Sequence, residues 1–458
     1  MPDYDAIIIG TGQSGPPLAR RLVAAGWKVA IIERKLFGGT CVNTGCTPTK
    51  ALVASAYAAH VARRAADYGV KLKGAVNVDM KAVKGRKDAV VARSRNGVER
   101  SLKTLKGCTV YEGHGHFVAE KRVAVDAAEL GADRIFINVG ARAAIPPITG
   151  LDRVPYLTNS SMMDVDFLPS HLIILGGSYV GLEFAQMYRR FGSAVTVIEL
   201  GPRLIPREDE DVSQAIAAFL TEEGIDVRTD SKVVGAEKER DSIAIKVESA
   251  GKVSQFVGTH LLVATGRRPN TDDLGLDKAG IAADARGYIQ VDDQLRTNVP
   301  GIWAIGDCNG RGAFTHTSWN DFEIVAANLL DNDQRRVSDR ITAYALFTDP
   351  PLGRAGMTEA EVRKTGRPAL ISTLAMEDVS RAYEKGETKG FMKILVDQDS
   401  KQILGASLLG MAGDEVIHCI LDLMYAKAPC TVVERAMHIH PTVAEFIPIM
   451  MADLVPLQ

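Results

Sequence analysis

Cysteine is scarce in this sequence, with six in 458 residues. That is too few for the disulfide framework of a small secreted scaffold. Neither sign of charge is in excess, with 54 Lys and Arg against 56 Asp and Glu, so nothing in the balance points to nucleic acid or another polyanion as a partner. No stretch approaches the ~18 consecutive apolar residues that a membrane-spanning helix needs. The first residues, Met1-Pro2-Asp3-Tyr4-Asp5, enter an apolar strand without the basic flank and long apolar core of a signal peptide. A cytoplasmic protein with no membrane partner is the expectation. Glycine, by contrast, is plentiful at 42 residues, and 46% of the chain is apolar. That combination suits an α/β protein with many tight strand-to-helix turns, and the length implies two to four domains.

Two of the six cysteines stand five positions apart in Gly38-Gly39-Thr40-Cys41-Val42-Asn43-Thr44-Gly45-Cys46-Thr47-Pro48-Thr49-Lys50. A regular helix would set them about 7.5 Å apart along its axis, whereas a disulfide tolerates roughly 7 Å between Cα atoms. Pairing therefore requires a bend, which Asn43 and Gly45 permit. Pro48 suits a first helical position, and a helix is expected from Ala51 to Ala66. Cys46 then lies near a helix N-terminus, where the dipole favours a thiolate. Spacing alone leaves two readings open, a pair of buried free cysteines and a redox pair. A reducing compartment favours the catalytic one.

The chain opens with a strand, Ala6-Ile7-Ile8-Ile9, that runs into Gly10-Thr11-Gly12-Gln13-Ser14-Gly15. A helix (Leu18 to Ala25) and a second strand (Lys28 to Ile32) follow, ending on Glu33. Strand, glycine triplet, helix, strand and acid make the dinucleotide-binding fingerprint. Gly10, Gly12 and Gly15 let the backbone approach a pyrophosphate at the helix N-terminus, and Glu33 is placed for an adenosine ribose. The pattern then recurs. Leu172-Ile173-Ile174-Leu175 leads to Gly176-Gly177-Ser178-Tyr179-Val180-Gly181, a helix through Arg190, and a strand from Ala194 to Ile198 ending on Glu199. In both units the acid follows the first glycine by 23 positions, so two dinucleotide sites are expected. Ser178 occupies the middle glycine position of the second. Glu199 favours the free ribose of NADH over the 2′-phosphate of NADPH, with Arg203 and Arg207 close by in sequence.

Between the two units, Met80 to Lys106 reads as one amphipathic helix, followed by strands around Thr109-Val110-Tyr111 and Arg134-Ile135-Phe136-Ile137 and a Pro146-Pro147 break. Leu261-Leu262-Val263-Ala264 is a buried strand turning near Gly266, and Gly301-Ile302-Trp303-Ala304-Ile305-Gly306-Asp307 places a carboxylate at a strand end. From Ala343 the texture is α+β, with strands Phe391 to Val396 and Gln402 to Leu409 and a helix from Asp414 to Ala426. His438-Ile439-His440-Pro441-Thr442-Val443-Ala444-Glu445 follows. An imidazole before a glutamate around a proline turn suits a carboxylate-oriented base; read cold, it also suits a surface pair. The expected fold class is α/β: two Rossmann-like dinucleotide-binding domains (1–150 with a return segment 276–340, and 151–275) plus a C-terminal α+β domain (341–458).

Together these motifs resemble the FAD-dependent pyridine nucleotide–disulfide oxidoreductases, the family of dihydrolipoamide dehydrogenase, glutathione reductase and mercuric reductase, along essentially the whole chain. The resemblance implies that Gly10, Gly12, Gly15, Glu33, Thr40 and Lys50 hold FAD, with Asp307 on its ribitol side and Gly115 at its adenine. It implies a nicotinamide nucleotide site at Gly176, Gly177, Gly181 and Glu199, with Val233 and Gly266 nearby, and a Lys50–Glu183 ion pair beside the flavin. It further implies a homodimer joined through the C-terminal domain, with His440 and Glu445 serving the partner's active site. Electrons are then expected to pass from NAD(P)H, NADH favoured, through FAD to a Cys41–Cys46 disulfide. Cys46 is the inner thiolate, Cys41 the outer thiol that exchanges with substrate, and His440 moves the thiol proton. Cys108, Cys308, Cys419 and Cys430 are read as structural, and no metal site is expected.

Within the family, Gly38 to Asn43 resembles the mercuric reductase branch. The last residues, Asp453 to Gln458, carry no vicinal cysteine pair to pass a soft metal ion inward. The His-x-His-Pro-Thr-x-x-Glu pattern is closer to dihydrolipoamide dehydrogenase, from which Thr47, Thr49 and the segment Phe314 to Asp321 depart. The expectation is a mercuric-reductase-like enzyme acting on a small disulfide or another oxidised acceptor. Dihydrolipoamide dehydrogenase and a Hg or Cu ion reductase are the alternatives. A flavin-binding sensor without turnover and a simple flavin oxidase are further readings.

Overall fold

The computed structural model describes residues 3–458. Its first unit is built on β1 (Asp3–Ile9), where Ile7, Ile8 and Ile9 are all buried, as a parallel strand covered on both faces requires. There follow α1 (Gly15–Ala24), β2 (Val29–Glu33), α2 (Gly39–Asn43), α3 (Cys46–Arg63), α4 (Met80–Lys103) and β3 (Cys108–Glu112). β4 (His116–Ala119), β5 (Arg122–Val125) and β6 (Ala128–Ile137) complete a sheet ordered β3-β2-β1-β6-β5-β4. Strands β3, β2, β1 and β6 are parallel, so their carboxyl ends share one edge, the edge at which such sheets bind ligands.

After β7 (Ala141–Ala143) the second unit runs β8 (Tyr156–Leu157), β9 (His171–Leu175), α5 (Tyr179–Phe191), β10 (Ala194–Ile198), α6 (Glu210–Glu222) and β11 (Ile225–Arg228). An antiparallel meander, β12 (Lys232–Glu239), β13 (Ser242–Ser249) and β14 (Lys252–Gly258), precedes β15 (His260–Val263). The parallel order here is β11-β10-β9-β15-β8, so strand, turn and helix repeat the first unit. The repeat is geometric: Gly10 has φ +108° and Gly176 φ +109°. A Cβ on Gly10 would lie 2.3 Å from the Asn138 carbonyl oxygen, and one on Gly176 2.5 Å from that of Ala264.

The chain then returns. β16 (Arg267–Pro269) pairs with β7, and β17 (Ile302–Ala304) adds to the first sheet beside β6. α7 (Thr315–Leu330) leads to a third, antiparallel sheet of β18 (Ala343–Leu346), β19 (Leu352–Gly356), β20 (Ala369–Ala375), β21 (Phe391–Asp397), β22 (Ile403–Leu409) and β23 (Val455–Pro456), ordered β18-β19-β22-β21-β20-β23. Among the described residues, no helix is long and apolar enough to cross a membrane.

Three helix boundaries differ from the sequence reading. α3 begins at Cys46 rather than Ala51 and ends at Arg63. Gly45 serves as its N-cap, and Pro48 falls in the first turn, where a missing N–H removes no helical hydrogen bond. α1 begins at Gly15 rather than Leu18, with Pro16 and Pro17 in its first turn for the same reason. α4 ends at Lys103, not Lys106; its start is fixed by Asp79, whose carboxylate accepts from the N–H groups of Lys81 and Ala82.

Candidate active site

The two cysteines meet because α2 and α3 are separate helices with a break between them. α2 closes with the Thr44 N–H on the Thr40 carbonyl (2.8 Å), and α3 starts at Cys46. Gly45 lies in the break. A Cβ there would stand 2.9 Å from the Thr40 oxygen and 3.2 Å from the Cys41 Cα, so this close approach excludes any side chain. Cys41 and Cys46 are free thiols with unequal acidity. The hydrogen bond from Cys41 pulls Cys46 down to about 6 against the opposing effect of burial. The Thr315 hydroxyl, 3.1 Å from Cys46 Sγ, and the Lys50 charge add to that fall. The same hydrogen bond, with burial, pushes Cys41 far above the ordinary thiol range. Cys46 is thereby the more acidic sulfur of the pair and Cys41 the less acidic.

Lys50 follows Cys46 by one helical turn, which places the two side by side. Its Nζ lies 2.8 and 2.9 Å from the two oxygens of Glu183 on α5 and 4.3 Å above the Phe347 ring. Glu183 is buried and also accepts from the Phe347 N–H at 3.1 Å. The pair therefore ties α3 to α5 and to the C-terminal part of the chain.

A cavity of about 1400 Å³ opens at this point, lined by Gly10, Gly12, Glu33, Thr40, Cys41, Cys46, Lys50, Gly115, Glu183 and Asp307 among others. Ordinary small-molecule pockets measure roughly 300–1000 Å³, so this one suits a dinucleotide. Asn138 Nδ2 donates to the Gly10 and Gly12 carbonyls (3.2 and 3.3 Å) and fixes the glycine turn. Glu33 accepts from Thr11 through its N–H (3.1 Å) and its hydroxyl (2.5 Å). Burial raises the Asp307 carboxyl above its ordinary range, offset in part by Arg267, whose Nε lies 3.5 Å away. Four buried polar atoms of lining residues, Asn43 Oδ1, Tyr179 Oη, Arg267 Nε and Arg340 Nη1, have no hydrogen-bond partner among the described residues. A glycine cradle, carboxylates on the cavity wall and unsatisfied polar atoms are what a flavin dinucleotide requires, and the residues fit FAD. Among the described residues no cluster of three or more His, Cys, Asp or Glu is placed to hold a metal ion.

Several expected site residues lie elsewhere. Gly15 sits beneath the turn, where a Cβ would meet the Gly10 oxygen at 2.5 Å. Gly176, Gly177, Gly181, Glu199 and Gly266 lie around the second sheet's carboxyl edge, with Glu199 accepting from the Gly177 and Gly201 N–H groups at 2.6 and 2.8 Å. Val233 is in β12 and packs against the apolar cluster of Ile173, Leu175 and Ile198. His440 Nδ1 is 3.0 Å from Glu445 Oε2, yet neither residue lines the cavity and the imidazole is 75% exposed. Sequence reading missed Thr315, Asn138 and Arg267 as site residues. Thr315 reaches Cys46 across 269 positions, and no local pattern marks it; Asn138, directly after the β6 apolar run, carried a faint signal as a polar residue at a strand's carboxyl end.

The comparisons with known proteins agree with this geometry. Residues 4–321 match the family model "Pyridine nucleotide-disulphide oxidoreductase", and residues 342–451 match its dimerisation domain. The chain is 36% identical over 453 residues to "Probable pyridine nucleotide-disulfide oxidoreductase RclA" of Escherichia coli (strain K12), covering 97% of this chain and 98% of the relative. It is 32% identical to a dihydrolipoyl dehydrogenase of Thermus scotoductus, covering 97% and 96%, and 33% identical to a mercuric reductase of Bacillus cereus, covering 91% and 66%. The solved structure of "HOCl-induced flavoprotein disulfide reductase RclA" from Escherichia coli superposes with a TM-score of 0.90 at 35% identity, covering 98% and 99%. A Cu(II) complex of the same relative gives 0.89 at 35% identity, with the same coverage. The chain belongs to the pyridine nucleotide–disulfide oxidoreductases, flavoenzymes that use FAD and NAD(P)H and act on sulfur groups.

Proposed function

We propose that this protein is an NADH-dependent reductase whose sulfur pair, Cys41 and Cys46, passes electrons to a small disulfide or another oxidised acceptor. The observation that carries this reading is the setting of the pair: Cys41 and Cys46 meet at the break between α2 and α3 on the cavity wall, with the Thr315 hydroxyl 3.1 Å from Cys46 Sγ and Lys50 one helical turn on, a setting that makes Cys46 the more acidic sulfur. Bound FAD, held by Gly10, Gly12, Gly15, Glu33, Thr40, Gly115 and Asp307, would take two electrons from the nicotinamide and deliver them to the sulfur pair. Lys50, oriented by Glu183, keeps positive charge beside Cys46 and so favours its thiolate. Cys41 is the sulfur that attacks an acceptor. Its raised pKa means that a base must first remove its proton. His440, with Nδ1 held by Glu445, is that base across the subunit boundary of a homodimer. Its exposed ring lies outside its own chain's cavity and next to the exposed Met437 and Ile439.

In this reading residues 1–150 and 276–340 carry FAD, 151–275 the nicotinamide nucleotide, and 341–458 the subunit contact. The nicotinamide nucleotide lies along Gly176, Gly177, Gly181 and Glu199, with Val233 and Gly266 at its margins. Glu199 disfavours a 2′-phosphate, which supports NADH. A dithiol that must be re-reduced suits the cytoplasm. A second reading, reduction of a soft metal ion at the same thiols, is favoured by one observation, the Cu(II) complex of a relative of similar structure.

The test is an anaerobic titration of the FAD-loaded protein with NADH, watching the visible spectrum. A broad long-wavelength band at two electrons places the Cys46 thiolate against oxidised flavin and supports the reading. Simple bleaching without that band removes the sulfur pair from the electron path. Steady-state NADH consumption with disulfides and with Cu(II) as acceptors then separates the two readings.

A further inference from the structure

Three polar residues stand a turn apart along one side of α7: Thr315, Ser318 and Asp321. The Thr315 hydroxyl serves Cys46. Ser318 meets the first glycine turn, where the Ser14 hydroxyl lies 2.6 Å from its carbonyl oxygen and 2.6 Å from its hydroxyl. Ser318 Oγ would also stand 2.9 Å from a Cβ on Gly306, a position with φ +75° that admits only glycine. Asp321 reaches neither the thiols nor the cavity: it is 2% exposed and lines no part of the wall.

A carboxylate buried to that degree needs partners, and Asp321 has three. Its Oδ2 accepts from the Gly306 N–H at 2.6 Å and from Asn309 Nδ2 at 2.9 Å. Its Oδ1 accepts from Arg340 Nη2, whose charge balances it, and Arg340 Nε is held in turn by Asn320 Oδ1 at 2.6 Å. Gly306 and Asn309 are the first and last residues of one short helical turn, and Asp307 lies between them. Asn309 Nδ2 donates as well to the Ala304 carbonyl at 3.0 Å, at the end of β17. One carboxylate oxygen thus grips both ends of the turn that presents Asp307 to the cavity. The Asp307 carboxylate has Arg267 Nε only at 3.5 Å, beyond an ordinary hydrogen bond, so its placement comes from the turn beneath it. All three partners of Asp321 are donors, which an ionised carboxylate satisfies and an amide does not.

We propose that Asp321 is a positioning residue for the flavin nucleotide: it fixes the turn Gly306–Asn309 so that Asp307 is presented to FAD, and it acts through Asp307 without touching the cofactor. This deepens the reading above, in which Asp307 holds FAD, and rests on it. α7 then registers three parts of the site along one side, the Cys46 sulfur through Thr315, the first glycine turn through Ser318 and the Asp307 turn through Asp321.

The test is a double-mutant cycle on FAD affinity, read from the fluorescence of released flavin as the FAD-loaded, full-length protein is serially diluted. Asp321→Asn keeps the size of the side chain but turns an NH2 group toward either the turn or Arg340. It is expected to weaken FAD about tenfold or more, and Asp307→Ala weakens FAD as well. The combined variant should bind FAD within about twofold of Asp307→Ala alone, because the turn then has no carboxylate left to position. Losses that multiply instead overturn the proposal and make Asp321 a prop of the whole domain. Wild-type affinity in Asp321→Asn also overturns it and leaves the role of Asp307 intact. Wild-type affinity in Asp307→Ala removes Asp307 from the FAD site, and the proposal falls with that reading. If Asp321→Asn does not fold, Asn309→Ala takes its place in the cycle: it deletes one of the two bonds to the turn, keeps the Asp321–Arg340 pair, and must show the same loss and the same non-additivity.

Discussion

Removing the Thr315 hydroxyl should make Cys46 a poorer thiolate by an amount that can be worked out beforehand. Three groups lower the Cys46 pKa to about 6: the Cys41 thiol most, then the Thr315 hydroxyl, then the Lys50 charge. At pH 7 a thiol with that pKa is about 90% ionised. A hydrogen bond to a charged acceptor is worth about 1.5–3 kcal/mol, and the lower end applies because Cys46 faces the solvent-open cavity. At 1.36 kcal/mol per pH unit, Thr315→Val should raise the midpoint by about one unit and leave about half the thiolate at pH 7. The assay is the pH dependence of Cys46 alkylation by iodoacetamide in the reduced protein, read from the mass of the peptide so that Cys419 does not interfere. Reactivity should fall as pH drops through the midpoint, because the thiolate is the charged form. Cys41→Ala removes the largest contribution, so its shift must exceed that of Thr315→Val. An unchanged midpoint in Thr315→Val, or the reverse order of the two shifts, refutes this account of the site.

Gly45→Ala would place a methyl group 2.9 Å from the Thr40 carbonyl oxygen; the cysteines must separate, and turnover should fall about 100-fold, with fewer thiols lost on mild oxidation. Arg190→Met strands Glu223 and Asp349, which Arg190 binds at 2.7 and 2.6 Å with little exposure. The expected loss is about 3–5 kcal/mol in urea unfolding. The same pair sets an acid limit. Burial pushes the Glu223 carboxyl up, but Arg190 overcomes it and holds the group below its ordinary 4.5. That stabilisation is present above 4.5 and lost as pH falls through the lower folded value, so Arg190→Met should flatten the acid side of the stability curve. Finally, Cys41→Ser and His440→Gln should each be inactive alone, while co-expression should recover about a quarter of wild-type turnover: half the dimers are mixed, each with one intact site. No recovery would place His440 in its own chain's site.

Much of the first and second units was legible because their signals are local. A strand, a glycine turn, a helix and an acid fit within 28 residues, Ala6 to Glu33 and again Leu172 to Glu199, so their period and spacing are visible without the fold. Cys46 near a helix N-terminus was legible for the same reason, whereas its place one turn before Lys50 was not, because the helix was expected only from Ala51. The start of α3 was not, because Pro48 fits the first turn of a helix in several positions and only the Gly45 contact with Thr40 selects one. Thr315 and the clasp of Glu208 by Arg354 and Tyr344 were invisible, and Asn138 only faintly marked, since each joins segments more than 100 positions apart.

The sequence by itself determined the repeated dinucleotide units, the redox-capable cysteine segment and the histidine–glutamate pair, because each is written in residues a few positions apart. Only the tertiary structure decided which groups set the acidity of Cys46, among them Thr315 from a distant segment, and that His440 stands outside its own chain's cavity. Those outcomes depend on burial, charge and hydrogen bonds between distant segments, and such contacts exist only once the sheets and helices have packed.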